Sequence, residues 1–276
     1  MPSSPSDSAI SKQRAQSKHD VLVSTVSGFL TGVLSGLVGL GGSELRIPFI
    51  LYGLSLPLHE MVAANLLISL LVSSTNFGLR AHLGLLSAGA LLISASMIAG
   101  SLTGAFIGAS VSRRFTERKM KAFIAIILTA ILVRLIAGFF IAAEVNPATS
   151  PNLLELIVAA VFGLMIGTVA GSVGVAGGEF QIPVLTLVFG LSIKIAGTAS
   201  QLVSIPTIIV ALLKHRSLGF LTRKALRVSA VMGIASVLGV LASLPILVTS
   251  NERIVELAFA SIILYTIVRL ALELTR

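Results

Sequence analysis

The chain states nearly the same motif series twice, at an offset of 135 positions. Gly28, Gly32, Gly36, Val38, Gly39, Gly42, Glu44, Ile47 and Pro48 return as Gly163, Gly167, Gly171, Val173, Gly174, Gly177, Glu179, Ile182 and Pro183. The register holds through Gly84/Gly219, Gly104/Gly239, Glu117-Arg118/Glu252-Arg253 and Arg134/Arg269. A duplicated chain builds one supersecondary plan twice, and the two copies must bury their shared faces against each other.

What surrounds the copies follows from their polarity. Of the 276 residues, 55% are apolar and 11% are charged, with mean hydropathy +1.01. A water-soluble protein of this length needs far more polar surface. The apolar runs do not alternate, which excludes a membrane β-barrel and predicts an all-α polytopic membrane protein. Absence of cysteine excludes disulfides and thiol chemistry. The net charge of +9 suggests nucleic acid at first sight. Lys and Arg lie in loops flanking apolar spans, however, where they set orientation and meet anionic headgroups, so no nucleic-acid partner is expected.

Ten apolar segments divide evenly between the copies. They lie near 21–40, 46–57, 60–79, 85–110 and 119–142, then 154–175, 181–192, 196–213, 222–247 and 254–274. This gives a polar tail over 1–20, read as disordered and cytoplasmic, and a first membrane repeat over 21–143. A linker over 144–153, expected to face outside, and a second repeat over 154–276 follow. The loop with Arg113, Arg114, Arg118, Lys119 and Lys121 is expected in the cytoplasm, as is that with Lys214, Arg216, Arg223 and Lys224. These loops occupy different places in the repeat, while the linker carries Glu144 and no Lys or Arg. Five crossings per copy reproduce that swap, so the expectation is an inverted-topology repeat with both termini inside. The competing arrangement, parallel halves with re-entrant loops, must put the 214–227 cluster outside.

The second segment of each copy is short and follows a glycine-rich break: Gly36-Leu-Val-Gly39-Leu-Gly41-Gly42-Ser43-Glu44 and Gly171-Ser-Val-Gly174-Val-Ala-Gly177-Gly178-Glu179. Proline shortly after suits the first turn of a new helix. An unwound backbone is tolerated only against protein or water, so both breaks should meet in the interior. Their free N–H groups and helix dipoles suit a small anion. The bland reading is a packing kink, and two repeat-related breaks favour a site. The candidate substrate-binding set is Gly41, Gly42, Ser43, Glu44, Arg46, Asn65, Gly177, Gly178, Glu179, Gln181, Thr198, Ser200 and Gln201.

Glu44 and Glu179 either cap the short helices or exchange a proton, with protonation favouring anion binding. Arg46, aligned with Gln181, either contacts the anion or snorkels to the interface. The third segments add Ser69, Ser73, Ser74, Thr75 and Asn76, answered in the second copy by Ser204 and the residues already named. Arg134 and Arg269 are expected to snorkel or pair at helix ends. Small residues at four-residue spacing let helices approach, within the chain or across a homodimer. No metal, cofactor or catalytic residue is expected: His59-Glu60 does not open a zinc-protease motif, and no phosphate-binding loop is present.

On the paired sequences GLGGSELRIP and GVAGGEFQIP, the chain resembles the TauE/SafE, or sulfite exporter, family of membrane permeases over roughly 22–274. Ala196-Gly197-Thr198-Ala199-Ser200 also matches, and the first copy departs there with Val62-Ala63-Ala64-Asn65. The resemblance implies transport, not catalysis. The expected cargo is a small sulfur-containing anion, sulfite or an organosulfonate such as sulfoacetate, crossing the bacterial inner membrane. A passive anion channel, or a permease for small organic carboxylates, is the alternative.

Overall fold

The computed structural model describes residues 7–54, 56–111 and 151–275. All their regular structure is helical: α1 (Asp7–Val38), α2 (Ser43–Pro48), a π-helical turn (Phe49–Gly53), α3 (Leu58–His82) and α4 (Ala88–Val111) come first. The second copy gives α5 (Leu153–Val173), α6 (Gly178–Leu187), α7 (Ile193–Ser217), α8 (Arg223–Thr249) and α9 (Glu252–Thr275). The fifth segment of the first copy, with Arg134 and the 113–121 loop, lies outside the described residues, as do the side chains of Glu44 and Arg269. Helix α1 begins at Asp7, inside the stretch expected as a tail, because Lys12, Gln13, Arg14 and Gln16 are all competent helix formers.

Among the described residues, six helices are long and apolar enough to cross a membrane. Polarity is distributed as lipid requires. Leu22, Phe106, Ile234 and Leu238 lie outside, while Arg46, Asn65, Arg80, Gln181 and Gln201 are inside. Many buried polar groups bond one another here, and an apolar exterior carries no desolvation cost in hydrocarbon.

Side-chain neighbours fix the directions. Helix α8 runs parallel to α1, with Gly28 beside Met232, Gly32 beside Ser236 and Gly36 beside Ser243. It also runs parallel to α3, since Glu60 accepts from Thr222 and the Ala64 carbonyl accepts from Ser229. Likewise α4 parallels α5, with Gly163, Gly167 and Gly171 against Met97, Ser101 and Ala105. It parallels α7 through Ser101–Thr207 and through Lys214 over the Phe106 ring. Helices α3 and α7 oppose each other: Arg80 reaches the Lys194 carbonyl, and His59 stacks on Phe220. Hence α1 opposes α5, α3 opposes α7 and α4 opposes α8. The described parts of the two copies are inverted, and the parallel-halves alternative falls.

The first helix of each copy therefore lies in the other copy, along its fourth helix. Glycines of both helix pairs serve this internal packing: an added Cβ on Gly104 would strike the Leu164 carbonyl, and one on Gly32 the Ser236 carbonyl. In hydrocarbon, where apolar attraction between helices is weak, such close backbone contact supplies much of the association. Gly104→Val should destabilise the protein by about 1–3 kcal/mol through overpacking, read as a lowered Tm in detergent. Gly78→Ala, with nothing within 4 Å of the added Cβ, is the matched control and should not lower Tm.

Candidate functional site

Each copy interrupts its backbone by the same device. Gly39 and Gly174 end the first helices at φ 84° and 77°, and Gly42 and Gly177 start the short ones at φ 63° and 82°. Four left-handed positions so close together suit residues without a Cβ. The prolines do not begin the short helices as expected. Pro48 ends α2 before the π-helical turn, and Pro183 lies inside α6. The helices start immediately after Gly42 and Gly177. The prolines then remove the N–H groups that would bond four residues back, at Glu44 and Glu179.

The two interruptions touch. Gly41 abuts Ala176, and Gly178 packs beside Leu40 and the Gly41 amide. Hydrogen bonds stitch the copies together there. Ser43 Oγ accepts from the Ala176 amide at 3.0 Å. Asn65 Nδ2 donates to the carbonyls of Ser43 (3.1 Å) and, in the other copy, Gly174 (3.2 Å). Gln201 returns the favour by donating to the Gly39 carbonyl. Main-chain groups freed by unwinding thus find partners across the repeat, as a lipid-embedded break requires. No N-cap side chain bonds the first turn of α2 or α6.

Arg46 is fully buried at this crossing and does not snorkel. Its Nε donates to Asn65 Oδ1 (3.2 Å), and its Nη2 to Ser69 Oγ (2.6 Å) and the Gly41 carbonyl (2.7 Å). The second copy repeats the plan with neutral groups: Ser204 Oγ donates to Gln181 Oε1 (3.1 Å) and to the Ala176 carbonyl (2.9 Å). Glu179 is buried and close enough for its charge to act on Arg46.

Thr198 spends its hydroxyl on the Lys194 carbonyl of its own helix, and Asn65 and Gln201 hold the breaks. Arg46 Nη1, Gln181 Nε2, Ser200 Oγ and Ser73 Oγ are buried with no hydrogen-bond partner among the described residues. Each is a donor close to a break: Nη1 beside Gly42, Nε2 beside Gly177, Ser200 beside Gly178 and Ser73 beside Gly41. Sequence reasoning grouped Ser69, Ser73 and Ser204 with the polar third segments without bringing them to the breaks. Reading the repeat register at Ser69/Ser204 would have found two of them, since both bond the residues aligned at 46 and 181.

A polytopic helical membrane protein with inverted copies, each carrying a helix interrupted inside the bilayer, has the architecture of a membrane transporter. The sequence pattern described as Sulfite exporter TauE/SafE matches residues 4–135 and again residues 136–276, so the chain belongs to that family of membrane transporters of sulfite and related anions. Searches of curated proteins and of solved structures found no match. The match, like the glycine register, divides the chain into two successive stretches.

Asn65→Leu should remove three hydrogen bonds and strand two buried carbonyls, at about 1–3 kcal/mol for each stranded group. A large fall in Tm is expected. A Tm equal to that of the unaltered protein would mean the Ser43 and Gly174 carbonyls are satisfied some other way.

Proposed function

We propose that this chain is a secondary transporter that moves a small sulfur-containing anion, sulfite or an organosulfonate such as sulfoacetate, by alternating access. The observation that carries the reading is the buried donor set around the crossed breaks, four donors without a partner among the described residues, one of them on Arg46. Unpaired donors in a low-dielectric interior are costly, and an oxyanion with several acceptor lone pairs relieves them together. Arg46 supplies the cationic contact. Gly42, Ser43, Gly177 and Gly178 supply amides at the starts of the short helices, with Ser200 and Gln181 completing the set.

Glu179 supports a proton-coupled cycle. As a carboxylate it competes with the anion for Arg46; protonated, it releases that charge to the substrate. Low pH on the loading side then favours binding. Orientation follows from the basic loops. Lys214, Arg216, Arg223 and Lys224 lie at the face reached by the end of α4, and on the positive-inside rule this face is the cytoplasmic side of a bacterial inner membrane.

Counterflow in proteoliposomes tests the reading. Unlabelled substrate on the far side should accelerate entry of labelled sulfite or sulfonate; a flux that never saturates and ignores trans substrate would make the protein a channel. Arg46→Gln should weaken binding about tenfold or more, by loss of a charge-assisted contact, in a thermal-shift titration with sulfite, sulfonates and small carboxylates. Glu179→Gln should flatten the pH dependence of uptake while leaving binding intact, and an unchanged profile would remove the coupling role.

A further inference from the structure

The two largest side chains sealed inside the described residues are arginines, Arg46 and Arg80, and both belong to the first copy. Their repeat equivalents are Gln181 and His215. One face of α3 joins the two cations. Ser69, Ser73, Asn76 and Arg80 follow at spacings of four, three and four, and each is at most 2% exposed. That spacing keeps all four on one side of a helix. Arg46 is bonded to Ser69, so at about 1.5 Å per residue the arginines stand roughly 16 Å apart along α3.

Packing does not require this row. The second copy builds the equivalent helix with Ser204, Ile208, Ala211 and His215 in these places, and Ile208 and Ala211 are just as buried.

Nor does capping of α1 use all that Arg80 offers. Its Nη2 donates to the carbonyls of Gly36 (2.9 Å) and Leu37 (2.7 Å) at the end of α1, and its Nη1 to that of Lys194 (3.1 Å). A helix end offsets roughly half an elementary charge. No acidic side chain pairs with Arg80 among the described residues, whereas the charge of Glu179 acts on Arg46. Arg80 Nε is buried with no hydrogen-bond partner among the described residues, and so is Ser73 Oγ, which lies between the two arginines in the row. One ligand class relieves both deficits, since a small oxyanion brings counter-charge and acceptors together. Beyond Arg80, Lys194 is half-buried and donates from its ammonium to the Ser250 carbonyl (2.7 Å), which continues the cationic row towards the surface.

We infer that Arg80 is a second anion station, on a path that leads from Arg46 along α3 past Ser73 and Asn76. Its ligand is of the class proposed for the crossing, a small oxyanion such as sulfite, and the path rests on that reading. Both stations can fill together. At roughly 16 Å and an effective dielectric of about 20, repulsion between two monoanions weakens the second binding step only about fivefold.

Equilibrium dialysis of the purified protein in detergent against radiolabelled sulfite counts the stations. The unaltered protein should bind two sulfite ions per chain, the second about fivefold more weakly. Arg46→Gln and Arg80→Gln should each leave one. Arg80→Lys keeps the charge and loses the Nε donor, so it should weaken one of the two events about tenfold, the worth of a charge-assisted hydrogen bond. This milder change keeps the test open if Arg80→Gln fails to fold.

One ion per chain, lost in Arg46→Gln and unaffected by either change at Arg80, overturns the second station and leaves the crossing site standing. One ion that responds only to changes at Arg80 overturns the crossing site and leaves the station. Two ions that survive both changes at Arg80 unaltered overturn the proposal, because the second then sits elsewhere. Absence of any bound sulfite refutes both sites.

Discussion

An interrupted helix inside a bilayer must satisfy its own main chain, and in this protein the satisfaction comes from the opposite copy. Asn65 holds the Gly174 carbonyl, Gln201 holds the Gly39 carbonyl, and Ser43 accepts the Ala176 amide. Neither break can exist alone in hydrocarbon, where each stranded amide or carbonyl costs several kcal/mol. The duplication is therefore a structural necessity: one copy supplies the gap and the other supplies its partners. This mutual capping also places the breaks in contact, and the candidate site inherits its position from it.

The same bonds that hold the crossing make it asymmetric. Arg46 and Gln181 occupy equivalent places and engage equivalent serines, yet only one is charged. A single buried cation with a buried carboxylate in electrostatic reach stays close to neutral overall, which the low-dielectric interior demands. An anion that binds Arg46 must replace or neutralise Glu179. Two neutral copies would lack the charge, and two arginines would lack the compensation.

Around this centre the packing is dominated by backbone. Helices α1 with α8, and α4 with α5, meet along glycines whose replacement would drive a side chain into a carbonyl. These pairs exchange first helices between copies, so any rocking of one copy against the other carries part of its neighbour with it.

The paired glycine series, the apolar runs and the swapped charge bias were enough to read an all-helical membrane protein with inverted copies and facing breaks. These are properties of composition, spacing and periodicity, and they act locally or through the lipid. Helix starts at Ser43 and Gly178 were misread through Pro48 and Pro183, because the left-handed glycines had already turned the chain before either proline was reached. The fates of Asn65, Thr198 and Gln201, and the unpaired donors on Arg46, Ser73, Gln181 and Ser200, were invisible in the chain. They depend on which carbonyl each side chain reaches once α1, α3, α5 and α7 converge. Sequence by itself determined that the chain enters a membrane twice over in opposite senses, since lipid selects by hydropathy and charge alone. Tertiary structure alone decided which polar groups hold the crossing and which have no partner among the described residues, since hydrogen bonds between copies obey distances that no linear spacing encodes.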